Sequence, residues 1–284
     1  MDTKIINVLV TGVGSELSFG IIKALKLSSL NIKIYGVDVY PEVVGKYWCD
    51  EFYQVSFASD TVGYEKDLRK IINEKNIAIL IPTVDQEFVF LSKIKHSLFI
   101  DYNCHVLINE IDEINLFNDK WEAYKWYVKN EIPTAKSFLI ENINYFKDDF
   151  IYPLIIKPRI GGGSRSIYKI DSFEDLMKYK DIVSMPIVQE YLFPDDEEYT
   201  AGTFRSVDSK IYSIIMKRTL KFGMTNKAEV IVDPSLDNFV KDVILKKRPL
   251  KYFNSKVSFP KKLNLSNKKI KKKIGIKFTN FEKI

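Results

Sequence analysis

The sequence predicts a two-domain α/β protein whose first domain is built on a parallel sheet, and three observations carry this prediction. Over residues 1–110, strand-like apolar runs alternate with helical patterns, which is typical of a parallel sheet. A later apolar run ends in Lys157 and is followed by three consecutive glycines. The length of 284 residues allows about two domains. We expect a Rossmann-like domain over residues 1–110 and an α+β domain over residues 111–245.

The composition restricts the classes of function. Two cysteines are too few for a disulfide scaffold, and two histidines leave little basis for a histidine metal site or a histidine-based catalytic pair. We expect both histidines on solvated surface. No uncharged apolar run reaches the roughly 18 residues of a membrane span, and the first residues lack a signal-peptide pattern. These features predict a cytoplasmic protein without membrane association.

The net charge of +6 is distributed unevenly along the chain. Residues 241–284 contain 15 basic residues against Asp242 and Glu282, whereas residues 1–240 contain 28 basic and 35 acidic residues. A run of like charge is usually solvated. We therefore expect residues 246–284 to be a basic tail outside the packed core, and nucleic-acid binding by this tail is the less favoured alternative.

The first strand, predicted from Ile5 to Thr11, leads into the turn Gly12-Val13-Gly14-Ser15 and then a helical pattern. The next strand ends at Asp38, an arrangement that resembles the start of a dinucleotide-binding domain. The G-x-G-x-x-G fingerprint of such domains is incomplete because Leu17 stands where its third glycine would be, so we favour a scaffold domain over nicotinamide binding.

Asp85 and Glu87 follow another predicted strand. They either hold a substrate or favour the N-terminus of a helix, and we prefer the second interpretation.

The lysine and glycine stretch runs from Leu154 to Ile167 and predicts two strands joined by a flexible loop. Glycines let the backbone approach a ligand closely, and a neighbouring lysine supplies a point charge suited to phosphate. The Walker motif is excluded because it places its lysine after the glycines and opens a helix. Two interpretations stay open, namely a lid over a phosphate and an ordinary glycine hairpin with a surface lysine.

The order of motifs from about residue 5 to 245 resembles the ATP-grasp superfamily, most closely its carbamoyl-phosphate-synthase-like branch. The resemblance rests on Asn118-Asp119-Lys120 at a helix start, on the lysine strand and on the glycine loop. In that family, Lys120 and Lys157 would contact the phosphates of ATP. The loop would close over them through Gly161, Gly162, Gly163 and Ser164.

The resemblance also implies positions for the rest of the nucleotide. The segment Pro186 to Leu192 resembles the family's hinge strand, which would meet the adenine through Gln189, Glu190, Tyr191 and Leu192. Glu198 would bind the ribose hydroxyls. Arg218 would act near an acyl phosphate, and Gly223 and Thr225 would follow in a flexible loop. The implied activity joins a small carboxylate substrate to an amine or another nucleophile with ATP and Mg²⁺, and a homo-oligomer is left open.

The resemblance fails at the metal site. The family's acidic Mg²⁺ ligands and its E-x-N pattern have no match after Leu245, where Glu282 is the only acid. Asp233 and Asp237 are makeshift candidates, but no metal ligand is assigned. We expect an ATP-grasp domain that is incomplete at its C-terminus, from truncation or a frameshift, and a poor or inactive ligase. A nucleotide-binding module without catalysis is the alternative function.

Overall fold

The computed structural model describes residues 5–143, 151–162, 165–193, 197–206, 208–221 and 224–247. These residues form two compact units that divide between Asn115 and Leu116. The predicted basic tail lies almost wholly outside the described residues. No helix in the described part of the chain is long and apolar enough to cross a membrane.

The first unit is built on a five-stranded parallel sheet in the order β3-β2-β1-β4-β5. Its strands are β1 Ile6–Val10, β2 Ile32–Asp38, β3 Glu51–Gln54, β4 Ile79–Ile81 and β5 His105–Val106. Its helices are α1 Glu16–Leu27, α2 Thr61–Glu74, α3 Asp85–Tyr102 and α4 Ile111–Asn118, and the unit boundary falls within α4. This strand order is the one found in Rossmann-like domains.

Side-chain alternation along β1 explains how this sheet is covered on both faces. Val8 and Val10 pack with Ile22 of α1 in one core cluster, whereas Leu9 packs with Leu68 and Leu91 of α2 and α3 in another. Successive residues of a strand point to opposite faces, so a continuous apolar run indicates burial on both. The prediction of a buried parallel strand at the start of the chain is therefore confirmed.

The second unit contains a four-stranded antiparallel sheet in the order β6-β9-β7-β8. Its strands are β6 Ser137–Leu139, β7 Leu154–Pro158, β8 Tyr168–Ile170 and β9 Pro186–Glu190, and its helices are α5 Lys120–Lys129 and α6 Phe173–Tyr179. Ser172 caps α6 by accepting from Asp175 N at 3.1 Å, a role that serine often has at a helix start. Pro158 at the end of β7 lies opposite Pro186, so the pairing of β7 with β9 extends to this residue.

The second unit continues as a three-stranded antiparallel sheet followed by a helix. Its elements are β10 Glu198–Arg205, β11 Ile211–Lys221, β12 Met224–Ile231 and α7 Pro234–Lys247. The expectation that Thr225 lies in a flexible loop was wrong, since Thr225 belongs to β12 and pairs with Leu220. Gly223 lies outside the described residues. Residues 222 and 223 separate β11 from β12.

Candidate functional site

Lys157 lies on β7, one of the two inner strands of the four-stranded sheet, and its register partner on the other inner strand, β9, is Ile187. Its ammonium group is half-buried and donates to Gln189 Oε1 at 2.6 Å. Burial lowers the pKa of Lys157, and the charge of Lys120 lowers it further. Both causes act against a positive charge at this position, so an anion that bound here would relieve an unfavourable state.

Lys120 comes to the same place because α5 begins beside the end of β7. Asp119 and Ile160 form an isolated bridge, and the Lys120 backbone N–H donates to the carbonyl of Arg159 at 3.0 Å. The Lys120 ammonium donates to the carbonyls of Arg159 and Gly161, at 3.2 and 2.8 Å. Burial lowers the pKa of Lys120, while the nearby Asp119 opposes that shift.

The carboxylate that precedes Lys120 in the chain is occupied by another partner. Asp119 accepts from Arg159 Nε at 3.1 Å and from Arg159 Nη2 at 2.5 Å, and it also caps α5. This guanidinium is the main cause that lowers the pKa of Asp119. Within the described residues, neither Lys120 nor Lys157 forms an ion pair with a carboxylate. Two half-buried ammonium groups therefore lie close together without a counter-ion, which is an arrangement suited to phosphate.

The glycine loop begins directly beside this lysine pair. Gly161 has a φ of +127°, a conformation that residues with a side chain rarely adopt, and it is exposed together with Gly162. Gly163 and Ser164 lie outside the described residues. The loop connects β7 to its antiparallel neighbour β8. The predicted strand–loop–strand arrangement is confirmed. It agrees with a lid over a phosphate and equally with an ordinary glycine hairpin.

Gln189 has partners that the sequence did not indicate. It was expected at the adenine, but its side chain accepts from Lys157 and donates from Nε2 to Ser137 Oγ at 2.8 Å. The Ser137 hydroxyl in turn donates to the carbonyl of Ala135 at 3.0 Å. Gln189 therefore connects the lysine to the neighbouring strand.

The other predicted hinge residues lie at or just beyond the end of β9. The backbone of Glu190 pairs with Lys136, and Glu190 Oε2 accepts from the Lys136 backbone N–H at 3.2 Å. The Lys169 ammonium lies 5.2 Å from the ring centroid of Tyr191. Leu192 is 64% exposed. An apolar side chain this exposed, beside the free end of a strand, is available to contact a flat ring.

Glu198 and Arg218, which the sequence assigned to separate roles, are direct partners here. They lie opposite each other on β10 and β11, and Arg218 donates to Glu198 Oε1 from Nε at 2.9 Å and from Nη2 at 2.6 Å. Arg218 Nη1 also lies 3.2 Å from Thr225 Oγ1. Both nitrogens use the same carboxylate oxygen, so Glu198 Oε2 keeps its capacity to accept from a hydroxyl.

In the first unit, the turn after β1 is hydrogen-bonded to the side chain at the end of β2. Gly14 N, which a dinucleotide phosphate would need, donates to Asp38 Oδ2 at 2.8 Å. A cavity of about 430 Å³ lies beside this turn, and among the described residues that line it Glu16 alone is charged. An acidic lining does not favour phosphate, which supports the scaffold interpretation over dinucleotide binding.

Glu87 has the structural role that we preferred for it. It is 2% exposed and accepts from the backbone N–H groups of Thr83 and Val84, both at 3.1 Å. Its carboxylate also accepts from the hydroxyls of Thr11 and Tyr64. Asp85 lies in the first turn of the same helix.

The two histidines differ in exposure. His96 is exposed, as expected, whereas His105 is half-buried in β5, where burial lowers its pKa.

The chain is similar to several known proteins. Residues 8–107 match the family model of the PylC-like N-terminal domain. An uncharacterised protein from Mycoplasma genitalium is 30% identical over 129 residues, which are 44% of this chain and 42% of that protein. The N5-carboxyaminoimidazole synthetase of Staphylococcus aureus, solved with ADP, superposes with a TM-score of 0.64 at 15% identity and covers 87% of this chain.

Two further solved structures extend the similarity to other enzymes. They are the L-amino acid ligase of Bacillus licheniformis, with a TM-score of 0.61, 12% identity and 85% coverage of this chain, and the biotin carboxylase domain of the Hydrogenobacter thermophilus 2-oxoglutarate carboxylase, with a TM-score of 0.62, 15% identity and 84% coverage. The chain has an ATP-grasp fold. It spans 65%, 60% and 57% of the three matched structures, which is less than two thirds of each.

The described residues do not fit the Mg²⁺ site that an ATP-grasp enzyme uses. They contain no group of three or more His, Cys, Asp or Glu side chains able to hold a metal ion. Asp233 accepts from the N–H groups of Ser235 and Leu236 at the start of α7, and Asp237 pairs with Lys241 at 2.5 Å. Both makeshift candidates are therefore engaged in local structure.

Sequence reasoning missed two parts of this candidate site. The pair between Asp119 and Arg159 joins residues 40 positions apart, and Ser137 lies 52 positions from Gln189. Each of these side chains belongs to a recognisable element, but nothing in the sequence indicates which residues pair across the sheet. The one available signal was Arg159, which follows Lys157 by two positions and could have been expected to pair with the Asp119 of the Asp-Lys helix start.

Proposed function

We propose that this chain binds ATP through its triphosphate, which Lys120 and Lys157 would contact while the glycine loop lies over it. The observation that carries the proposal is the pair of half-buried ammonium groups whose neighbouring carboxylate is already paired with Arg159. Charge-assisted hydrogen bonds from such groups are stronger than neutral ones. The presence of ADP in one matched structure and of MgADP and ADP in another supports this assignment.

We assign the other predicted residues to the same nucleotide. The exposed end of β9, from Glu190 to Leu192, would meet the adenine through main-chain groups and apolar side chains. Glu198 would accept from a ribose hydroxyl through Oε2, the oxygen that Arg218 leaves unused. Arg218 would then act near the transferred phosphate. Gly162 and its neighbours would exclude water from the reacting group.

We propose that the chain is related to enzymes that use ATP to ligate a small carboxylate through an acyl phosphate. Support comes from the matched enzymes, which include an amino acid ligase and a biotin carboxylase domain whose structure contains bicarbonate. The carbamoyl-phosphate-synthase-like branch remains a prediction, as do self-association and a cytoplasmic location. The lysines would stabilise the charge on the phosphates by a preorganised electrostatic field.

Binding of ATP is tested by isothermal titration calorimetry on Lys157→Met. The variant removes the charge but keeps an apolar stem of similar length, so we expect ATP affinity to fall by about 10- to 100-fold, the range of a charge-assisted hydrogen bond. Lys70→Met is the matched control, because Lys70 is an exposed lysine on α2 of the other unit. Unchanged affinity in a folded Lys157→Met variant would remove the basis of the proposal.

A second candidate function is nucleotide binding without catalysis, and the missing cluster of metal ligands among the described residues favours it. The two candidates differ in ADP release, measured by a coupled assay with Mg²⁺ across a panel of amino acids and small carboxylates. We expect the 284-residue chain to show little or no turnover although it binds ATP. Robust substrate-dependent turnover would contradict this expectation and establish the ligase.

A further inference from the structure

The side chain of Gln189 lies in a continuous row of hydrogen bonds across the four-stranded sheet. Ser137 on β6 lies directly opposite Gln189 on β9, and Gln189 lies opposite Ile155 on β7. Lys157 is two residues beyond Ile155, so its side chain leaves the same face of the sheet as those of Gln189 and Ser137. The row runs from the Lys157 ammonium through the Gln189 amide to the Ser137 hydroxyl.

The orientation of the Gln189 amide is determined by the last member of this row. Ser137 is 3% exposed and donates its hydroxyl hydrogen to the carbonyl of Ala135, so its oxygen is left to accept. Gln189 must therefore direct its NH₂ group towards Ser137 and its carbonyl oxygen towards Lys157. The observed distances, 2.8 Å and 2.6 Å, agree with this assignment.

A neutral acceptor has a different effect on a lysine than a carboxylate has. In this unit, Arg159 is held by Asp119 and Arg218 by Glu198, and each carboxylate neutralises the cation that it positions. The amide carbonyl of Gln189 positions the Lys157 ammonium at hydrogen-bonding distance without adding a negative charge. The charge of Lys157 is thus fixed in space and remains available to an anion.

We propose that Gln189, oriented by Ser137, is a positioning residue that holds the Lys157 ammonium for the nucleotide phosphates while leaving its charge uncompensated. This inference rests on the proposed binding of ATP. It assigns Gln189 to the phosphate end of the site and not to the adenine, where the family resemblance would place it. Gln189 itself contacts no phosphate in this scheme and acts through Lys157.

The test compares the affinity for ATP with the affinity for adenosine, which lacks phosphates, in the full-length chain. In Gln189→Met, which has a similar shape, ATP affinity should fall about tenfold, since a hydrogen bond to a charged group is lost, and adenosine affinity should change less than about twofold. Gln189→Glu should lower ATP affinity further, because its carboxylate pairs with Lys157. Ser137→Ala should give a loss in the same direction as Gln189→Met.

The design separates a positioning role from a merely structural one. In the Lys157→Met background, Gln189→Met should cause no further loss of ATP affinity, because residues that act as one unit are not additive. Gln86→Glu, an exposed site on α3 that undergoes the same charge change, is the control and should leave both affinities unchanged. Calorimetry serves for ATP and an NMR shift titration for adenosine.

Two results would overturn the inference, and they can be told apart. If the wild-type chain binds ATP and adenosine, but Gln189→Met weakens both equally, the side chain only supports β9 and the inference is wrong while ATP binding stands. If the wild-type chain binds neither ligand, the proposed function is wrong and the inference is overturned with it.

Discussion

At the scale of single residues, the candidate site depends on which cation pairs with Asp119, the carboxylate that directly precedes Lys120 in the chain. Asp119 could pair with Lys120, which follows it directly, but it is held by Arg159 through two hydrogen bonds. A planar guanidinium matches a carboxylate in a two-point contact that a compact ammonium cannot make. Arg159 therefore takes the negative charge, and both lysines keep their positive charge for a ligand.

Removing Arg159 should accordingly weaken ATP binding although Arg159 need not touch the nucleotide. In Arg159→Met, the freed Asp119 carboxylate would attract Lys120, and we expect ATP affinity to fall about 3- to 10-fold. Calorimetry at low salt measures the change. Arg69→Met is the matched control, because Arg69 is likewise an arginine held by carboxylates, those of Glu65 and Asp101, but lies in the other unit. An ATP affinity equal to that of the wild type would show that Asp119 does not compete for Lys120.

At the scale of elements, Glu87 joins the ends of β1 and β4 to two helices. Its carboxylate accepts from Thr11 after β1, from Thr83 after β4 and from Tyr64 on α2. Burial raises the pKa of Glu87 more strongly than these hydrogen bonds lower it. Relative to the unfolded chain, folding therefore shifts the balance of Glu87 towards its neutral form, and ionisation of Glu87 costs stability.

The sign of this effect gives a prediction for Glu87→Gln. An acid whose pKa is raised on folding stabilises the fold below its unfolded pKa of about 4.3, and this contribution is lost as pH rises through the folded pKa. The free energy of unfolding of Glu87→Gln minus that of the wild type should therefore increase as the pH rises from about 4.5 to about 7.5. Denaturant titrations at both pH values measure it, with the exposed Glu74→Gln on α2 as control. Equal differences at both pH values would contradict the prediction.

Strands that are continuous apolar runs were predicted from the sequence, whereas elements that depend on pairing with a neighbouring element were not. The strand from Ile6 and the strand of Lys157 are apolar runs, so burial determines their structure. By contrast, β3 reads Glu-Phe-Tyr-Gln, and this edge strand exists because its backbone pairs with β2. Helix α4 also carried no recognised signal. The sequences of β3 and α4 cannot be distinguished from that of a loop unless the neighbouring element is known.

The same reasoning applies to the candidate site. Lys120, Lys157 and the glycine loop were recognised because their residue types and order are unusual. The partners of Gln189 and of Glu198 were not recognised, because cross-strand pairing depends on register. A shift of one residue would turn each side chain to the other face of its sheet. Residue types therefore indicated the phosphate end of the site, and only the structure showed how its side chains are connected.

At the scale of the whole chain, each unit has a core of its own. The buried residues of the two clusters in the first unit lie between Val8 and Cys104, and those of the cluster in the second unit lie between Ile143 and Val188. No buried member is shared between these clusters. A domain with its own hydrophobic core can in principle fold alone.

We therefore expect a fragment of residues 1–118, which keeps α4 whole, to fold without the second unit. Its unfolding should be cooperative, with an enthalpy of about 80 kcal/mol at the midpoint for a domain of this length. Leu80→Ala tests whether the same core is present, because Leu80 is fully buried on β4 and its truncation should cost about 3 kcal/mol in the fragment and in the whole chain. Calorimetry and circular dichroism measure both effects. A fragment that unfolds without a cooperative transition, or that is insensitive to Leu80→Ala, would show that the first unit needs the second to form its core.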